Sequence, residues 1–165
     1  MNHFMLLTPH TLVGVAVGAS IPNPYIAVPL SFVLHFVGDT VPHWDFFSGT
    51  SENKEVRLKG WRPLAVMADL AVGVAVGTAF TLYALWVIGD AALAANIFMC
   101  GVASTLPDAL ESPHIYMGKE WRALDLVTNI QKRLQFQAPL PWGVISQVIV
   151  SSVMLLLILS SILSK

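Results

Sequence analysis

The chain is short of charge. Only 12% of its residues are Asp, Glu, Lys or Arg, against roughly 25% in an ordinary soluble domain. Long stretches carry none at all: residues 1–38 and 134–164 are uncharged, and residues 63–106 hold only Asp69 and Asp90. A net charge of −1 excludes the basic surface that nucleic acid requires. Cysteine is almost absent. Cys100 stands alone in an apolar run, so an internal disulfide and a Cys-x-x-Cys metal site are both excluded, and it reads as small core filler. No Lys or Arg precedes the first apolar stretch, and Pro22 to Pro24 offers no small-residue cleavage site, so residues 1–38 read as mature protein. Several catalytic signatures are missing too. There is no His-Glu-x-x-His helix, no serine nucleophile elbow and no phosphate-binding glycine loop.

What is present is apolar. Hydrophobic residues make up 55% of the chain and mean hydropathy is +0.67, which makes lipid the expected solvent. Uncharged stretches separated by charged segments at 43–62 and 107–133 are the layout of membrane spans joined by polar loops. Residues 1–165 then form one membrane-embedded domain of about five helices, an all-α polytopic bundle. Thr8-Pro9 predicts a cap and first position for a helix over about 9–21; Asn23-Pro24 repeats that signal for one over 24–41, with Pro29 as a kink. Further helices are expected over 63–88, over 91–106 after the Gly89-Asp90 turn, and over 140–163. The predicted helices over 9–21 and 91–106 are shorter than a ~30 Å hydrocarbon core needs, so their ends are expected inside the slab. Residues 120–134 predict an amphipathic helix at the interface, with Trp121, Leu124, Val127, Ile130 and Leu134 on one face.

Lys54, Arg57, Lys59 and Arg62 lie in one loop, and Lys119, Arg122, Lys132 and Arg133 in another two spans later. Both loops fall on the same side, which the positive-inside rule makes cytoplasmic, with the N-terminus. A repeat supports the same layout. Val13-Gly14-Val15-Ala16-Val17-Gly18 recurs as Val72-Gly73-Val74-Ala75-Val76-Gly77, and the same offset carries His10 onto Asp69. The expected unit is a helical hairpin, over 1–43 and again over 62–114. The alternative is a chance match of residues common in membrane helices. The paired glycines permit close helix contact between the halves or in a homodimer.

Ionisable groups inside spans are costly and usually functional. His10, His35, Asp39, Asp69 and Asp108 all fall near the cytoplasmic side in this layout. His35 and Asp39, four apart, share a helix face. A mixed imidazole and carboxylate set suits a divalent metal, Zn²⁺ foremost, with Mn²⁺ or Fe²⁺ behind it. The competing readings are a polar cluster that locks the bundle, or an ion path. His43, Asp45, Glu111 and His114 lie just beyond the helix ends, as added ligands, a general base or substrate contacts, although His43 and His114 could simply cap helix C-termini. Asp69 is either a ligand or the general base.

The elements Pro9-His10, Leu34-His35-Phe36-Val37-Gly38-Asp39 and Leu106-Pro107-Asp108 together resemble the bacterial membrane-bound metal-dependent hydrolases of the YdjM-like family. The resemblance spans about residues 8–114. It departs from the family where Ala109-Leu110-Glu111-Ser112-Pro113-His114 replaces a second Asp and a His-Pro. It implies a divergent hydrolase of the bacterial inner membrane, holding metal at the cytoplasmic face and cleaving a lipid or phosphoester. Membrane lipid is the expected partner, gathered by Arg122, Lys132 and Arg133. The alternative function is non-enzymatic: a structural metal or polar cluster, or an ion-handling protein.

Overall fold

The computed structural model describes residues 6–46, 59–112 and 125–163. Its regular elements are all helices: α1 (Leu7–Ser20), α2 (Pro24–Asp39), α3 (Arg62–Tyr83, running on as a π-helical stretch over Ala84–Ile88), α4 (Ala91–Ser112), α5 (Asp125–Leu134) and α6 (Trp142–Leu163). The expected all-α bundle is therefore present, with both hairpins, the short amphipathic helix and the final long helix. The charged residues Lys54, Arg57, Lys119 and Arg122, together with His114, Trp121 and Leu124, lie outside the described residues.

Local chemistry explains most boundaries. The Asn23 side chain accepts from the Tyr25 amide at 3.0 Å while Pro24 opens α2. Gly89 adopts φ +79°, a left-handed conformation that favours glycine, and ends α3. Asp90 then accepts from the Leu93 amide at 2.9 Å and caps α4. Two expectations fail. Thr8 does not cap its own helix; α1 starts at Leu7 and is capped from another helix, as described below. Nor does α4 stop near 106. It runs through Pro107 to Ser112, because Pro107, Asp108 and Glu111 are all buried and packing holds the last turn despite the missing amide. At about 1.5 Å per residue its 22 residues reach ~33 Å, enough to cross a bilayer. α1, with 14 residues, stays short.

Among the described residues, three helices are long and apolar enough to cross a membrane: Arg62–Ile88, Ala91–Ser112 and Trp142–Leu163. The bundle is built inside out relative to a water-soluble one. Leu64, Trp86 and Leu156 are 74%, 73% and 67% exposed on its outside. Its buried positions are largely small or polar: Ala27, Ala84, Cys100, Ser31, Ser104, His35 and Asp39. An apolar exterior this extensive suits lipid and not water. α1 is the axis. Ten of its 14 residues are buried, and it packs on α2, α3, α4 and α6.

Glycine lets the axis seat. A Cβ on Gly14 would collide with the Cys100 carbonyl and the Ser104 hydroxyl of α4. One on Gly18 would lie 2.8 Å from the Ile97 Cα. On α3, Gly73 and Gly77 face Thr11 of α1. Both glycine pairs therefore find partners within the chain. Asn96 adds a polar tie, donating to the carbonyls of Gly18 at 2.9 Å and Ile21 at 2.7 Å.

The site lies at one end of the bundle, reached by the N-terminal parts of α1, α3 and α6 and the C-terminal parts of α2 and α4. Leu6, Asp69 and Gln147 meet there, whereas Ser20 and Ser161 meet at the far end at 2.9 Å. A strap closes the site end. The Asp39 carbonyl accepts from the Phe136 amide at 3.0 Å, and the His43 amide and carbonyl bond to Phe136 and Ala138 at 3.0 and 2.8 Å. The Gln147 side chain donates to the Trp44 carbonyl at 2.7 Å, which fixes the strap to α6.

Replacing Gly14 by Ala is expected to destabilise the bundle by about 1–3 kcal/mol, because the added methyl meets backbone that cannot yield. Gly101→Ala, whose Cβ would sit at 3.9 Å from Val15, is expected to stay within about 0.5 kcal/mol. Unfolding midpoints in detergent compare the two; equal losses would contradict the packing described.

Candidate metal centre

Four side chains from three helices converge near the end of the bundle. α1 supplies His10, α2 supplies His35 and Asp39 one turn apart, and α4 supplies Asp108. All four are 5% exposed or less. His10 Nε2 stands 3.2 Å from Asp39 Oδ1, His35 Nε2 stands 3.5 Å from Asp39 Oδ2, and His35 Nε2 stands 3.4 Å from Asp108 Oδ1. The two imidazoles stack with ring centroids 4.1 Å apart. These are four of the five ligands expected from the sequence, and the fold gathers them; the fifth, Asp69, it does not.

Ser104 arranges the cluster. Its hydroxyl donates to the His10 carbonyl at 2.7 Å, and its own carbonyl accepts from His35 Nδ1 at 2.8 Å. Because a carbonyl can only accept, Nδ1 of His35 carries the proton and Nε2 presents its lone pair to the cluster. Holding the outer imidazole nitrogen on a carbonyl is the usual way to orient a metal-binding histidine.

Several atoms aimed into the cluster are unsatisfied. Both ring nitrogens of His10, both carboxylate oxygens of Asp39 and Oδ2 of Asp108 are buried without a hydrogen-bond partner. His10 and Asp39 come within hydrogen-bond length of one another, but they are not aligned to make the bond. Each buried orphan costs about 1–3 kcal/mol, and in a bilayer no water relieves it. One cation could take a ligand atom from each of His10, Asp39 and Asp108, engaging one ring nitrogen of His10 and not both. Tetrahedral bonds of about 2.1 Å to nitrogen and oxygen put ligand atoms about 3.4 Å apart, which is the scale of the separations seen here. One ligand atom each from His10, His35 and Asp108 also lie within 4.8 Å of one another. The buried His10, His35 and Asp108 could thus hold a metal ion.

Asp69 stands elsewhere. Its carboxylate accepts from the Leu7 amide at 2.6 Å, the Thr8 amide at 3.3 Å and the Thr8 hydroxyl at 2.7 Å. It caps α1 from α3 and favours the positive end of that helix. The ligand or base role expected for it gives way to this capping, because its oxygens already face α1. His43 lies in the strap, fully buried, with Nδ1 donating to the Val41 carbonyl at 2.9 Å and Nε2 left unpartnered. It interacts electrostatically with His10 and Asp39. Asp45, also in the strap, accepts from Gln137 at 2.7 Å. Glu111 is buried one turn beyond Asp108 on α4 and interacts with it electrostatically. His114 lies outside the described residues.

One member of the site has no counterpart in the sequence reasoning. Gln131 of α5 is fully buried. Its Nε2 donates to Asp108 Oδ1 at 2.8 Å and lies 3.1 Å from His35 Nε2. The signal was available: Gln131 follows Val127 by one turn, a polar residue on the border of the apolar face. That face is itself turned. Leu126, Ile130 and Leu134 point outward, whereas Val127, Thr128 and Gln131 point in.

No family model, curated protein or solved structure matches this chain.

Asp69→Ala is expected to cost about 1 kcal/mol through loss of the cap, with Asp69→Asn close to neutral. Neither should change the metal content of purified protein. Asp108→Asn should lower it. Elemental analysis of the three variants separates cap from ligand, and metal loss in Asp69→Asn would return Asp69 to the centre.

Proposed function

We propose that this protein is a metal-dependent hydrolase of the membrane interface, with His10, His35, Asp39 and Asp108 holding one divalent ion. The single observation that carries the reading is the set of buried, unpartnered nitrogens and oxygens gathered where His10, His35, Asp39 and Asp108 meet. A polar cluster serving only to lock helices would be expected to satisfy its own atoms. The donor set favours Zn²⁺, with Mn²⁺ or Fe²⁺ also accommodated. The resemblance to the YdjM-like hydrolases points the same way, and it suggests a bacterial inner membrane with the N-terminus and the centre on the cytoplasmic side.

When bound, a divalent ion supplies Lewis acidity to the scissile group and activates water. The chain's own residues do the rest. Ser104 orients His35 through Nδ1. With Asp69 turned to α1, Glu111 is the carboxylate positioned to move a proton, one turn beyond Asp108. The centre lies where α2 and α4 end, beneath the amphipathic α5, so a lipid or other interfacial phosphoester is the substrate class proposed. Lys132 and Arg133 are exposed on α5, and Lys59 is exposed before α3. All three could attract an anionic headgroup. Thr81 and Asn96, the polar groups deeper in the bundle, are committed to backbone carbonyls, which gives little support to ion transport.

The near-complete burial of the four residues favours a second reading, a structural metal centre without turnover. The two separate on activity. Under either, purified protein carries bound transition metal, and a chelator lowers its thermal midpoint. A ligand at about 100 times its Kd stabilises by about 2.7 kcal/mol, which is the size of loss expected. His35→Ala and Asp108→Ala should bind little metal and respond little to chelator. Release of phosphate from phospholipid vesicles, lost in Asp39→Asn and Glu111→Gln, supports the hydrolase. Metal-free wild-type protein that ignores chelator sinks both readings.

A further inference from the structure

Gln131 occupies an awkward position for a passive residue. Its amide nitrogen forms a triangle with His35 Nε2 and Asp108 Oδ1, 3.1 and 2.8 Å from them, while those two stand 3.4 Å apart. Both of those atoms carry lone pairs, because His35 holds its proton on Nδ1. The partly positive NH₂ therefore occupies the corner of the triangle where a third ligand atom would stand, and it engages the lone pairs that a cation would take. Its other end is unsatisfied: Oε1 of Gln131 is buried and has no partner. A neutral donor and a metal ion cannot use the same imidazole lone pair at once.

The carboxamide is nearly symmetrical in shape, so turning it by half a rotation exchanges NH₂ and oxygen without new volume. Without a cation that rotation is unfavourable, since Oε1 would face the His35 lone pair and the Asp108 carboxylate. With a cation held at that triangle the preference reverses, because an amide oxygen can ligate it and an NH₂ cannot. Resting on the metal reading above, we propose that Gln131 is a fifth member of the metal centre. It turns its carboxamide to present Oε1 when the ion binds. Metal binding then clamps α5 onto the bundle. Gln131 is the one α5 residue buried in the core, so this side chain is the natural link between the centre and the interfacial helix.

The measurements are Zn²⁺ affinity, by competition with a chromophoric chelator, and hydrogen exchange of residues 125–134 in lipid nanodiscs. Wild-type protein should gain protection in α5 when Zn²⁺ is added. Gln131→Leu should bind Zn²⁺ about 10–100-fold more weakly and lose that gain. Gln131→Glu gives the opposite sign from a residue that acts only as a donor. Its carboxylate repels Asp108 without metal and loosens α5, then coordinates Zn²⁺ at least as tightly as wild type. If wild type takes up no Zn²⁺, the metal reading fails and this proposal with it. If wild type binds Zn²⁺ but Gln131→Leu matches it in affinity and α5 response, this proposal alone is overturned. Weaker binding by Gln131→Glu overturns it as well, and serves if Gln131→Leu does not fold.

Discussion

Ser104 joins three helices at one point, and much of the bundle's chemistry depends on it. Its hydroxyl holds the His10 carbonyl of α1, and its carbonyl holds His35 of α2. The contact exists because Gly14 has no side chain; a Cβ there would occupy the space of the Ser104 hydroxyl. A glycine on one helix thus sets the spacing at which a serine on another can orient one imidazole and hold the backbone that carries the other. The same seam draws Asp108, one turn along from Ser104, toward His35.

The surrounding bundle turns ordinary folding logic outward. Large apolar side chains lie on its exterior, and small or polar ones line its interior. In water that exterior would drive association; in lipid it is neutral, and close packing with interhelical hydrogen bonds holds the helices. The Asn96 and Ser104 ties to backbone carbonyls are of this kind. The same surroundings raise the stakes at the cluster. A carboxylate and an imidazole left unpaired at that depth have no water to turn to, which is why a cluster of this kind could hold a metal ion. Lipid surroundings also explain why α5 can face three ways. One edge meets the bundle through Gln131, one carries Leu126, Ile130 and Leu134 outward, and one carries Lys132 and Arg133.

Some features were legible because they are local or periodic. The Asn23-Pro24 and Gly89-Asp90 junctions announce themselves through capping chemistry and the left-handed turn. The four proposed ligands were legible because charge is so rare in the spans that His10, His35, Asp39 and Asp108 stand out. Other features were hidden for equally physical reasons. Pro107 reads as a helix stop because it lacks an amide, but burial of the following turn outweighs that loss. Asp69 reads as a ligand because the repeat aligns it with His10, yet only the packing of α3 on α1 reveals that it faces a helix N-terminus. Gln131 was passed over because a glutamine on an amphipathic helix is unremarkable until its partner surface is known.

The sequence by itself determined the solvent, the helical class and the end of the molecule where chemistry gathers. These follow from charge scarcity and from the spacing of apolar and capping residues, which act over a turn or two of chain. Tertiary structure alone decided which polar groups meet. His10 and Asp108 are far apart in the chain, and their approach depends on glycine faces, a serine that bonds in two directions and a strap tied to α6. Whether a carboxylate caps a helix or faces an imidazole is decided by which neighbour stands at hydrogen-bonding distance in the folded bundle, and that is a property of packing.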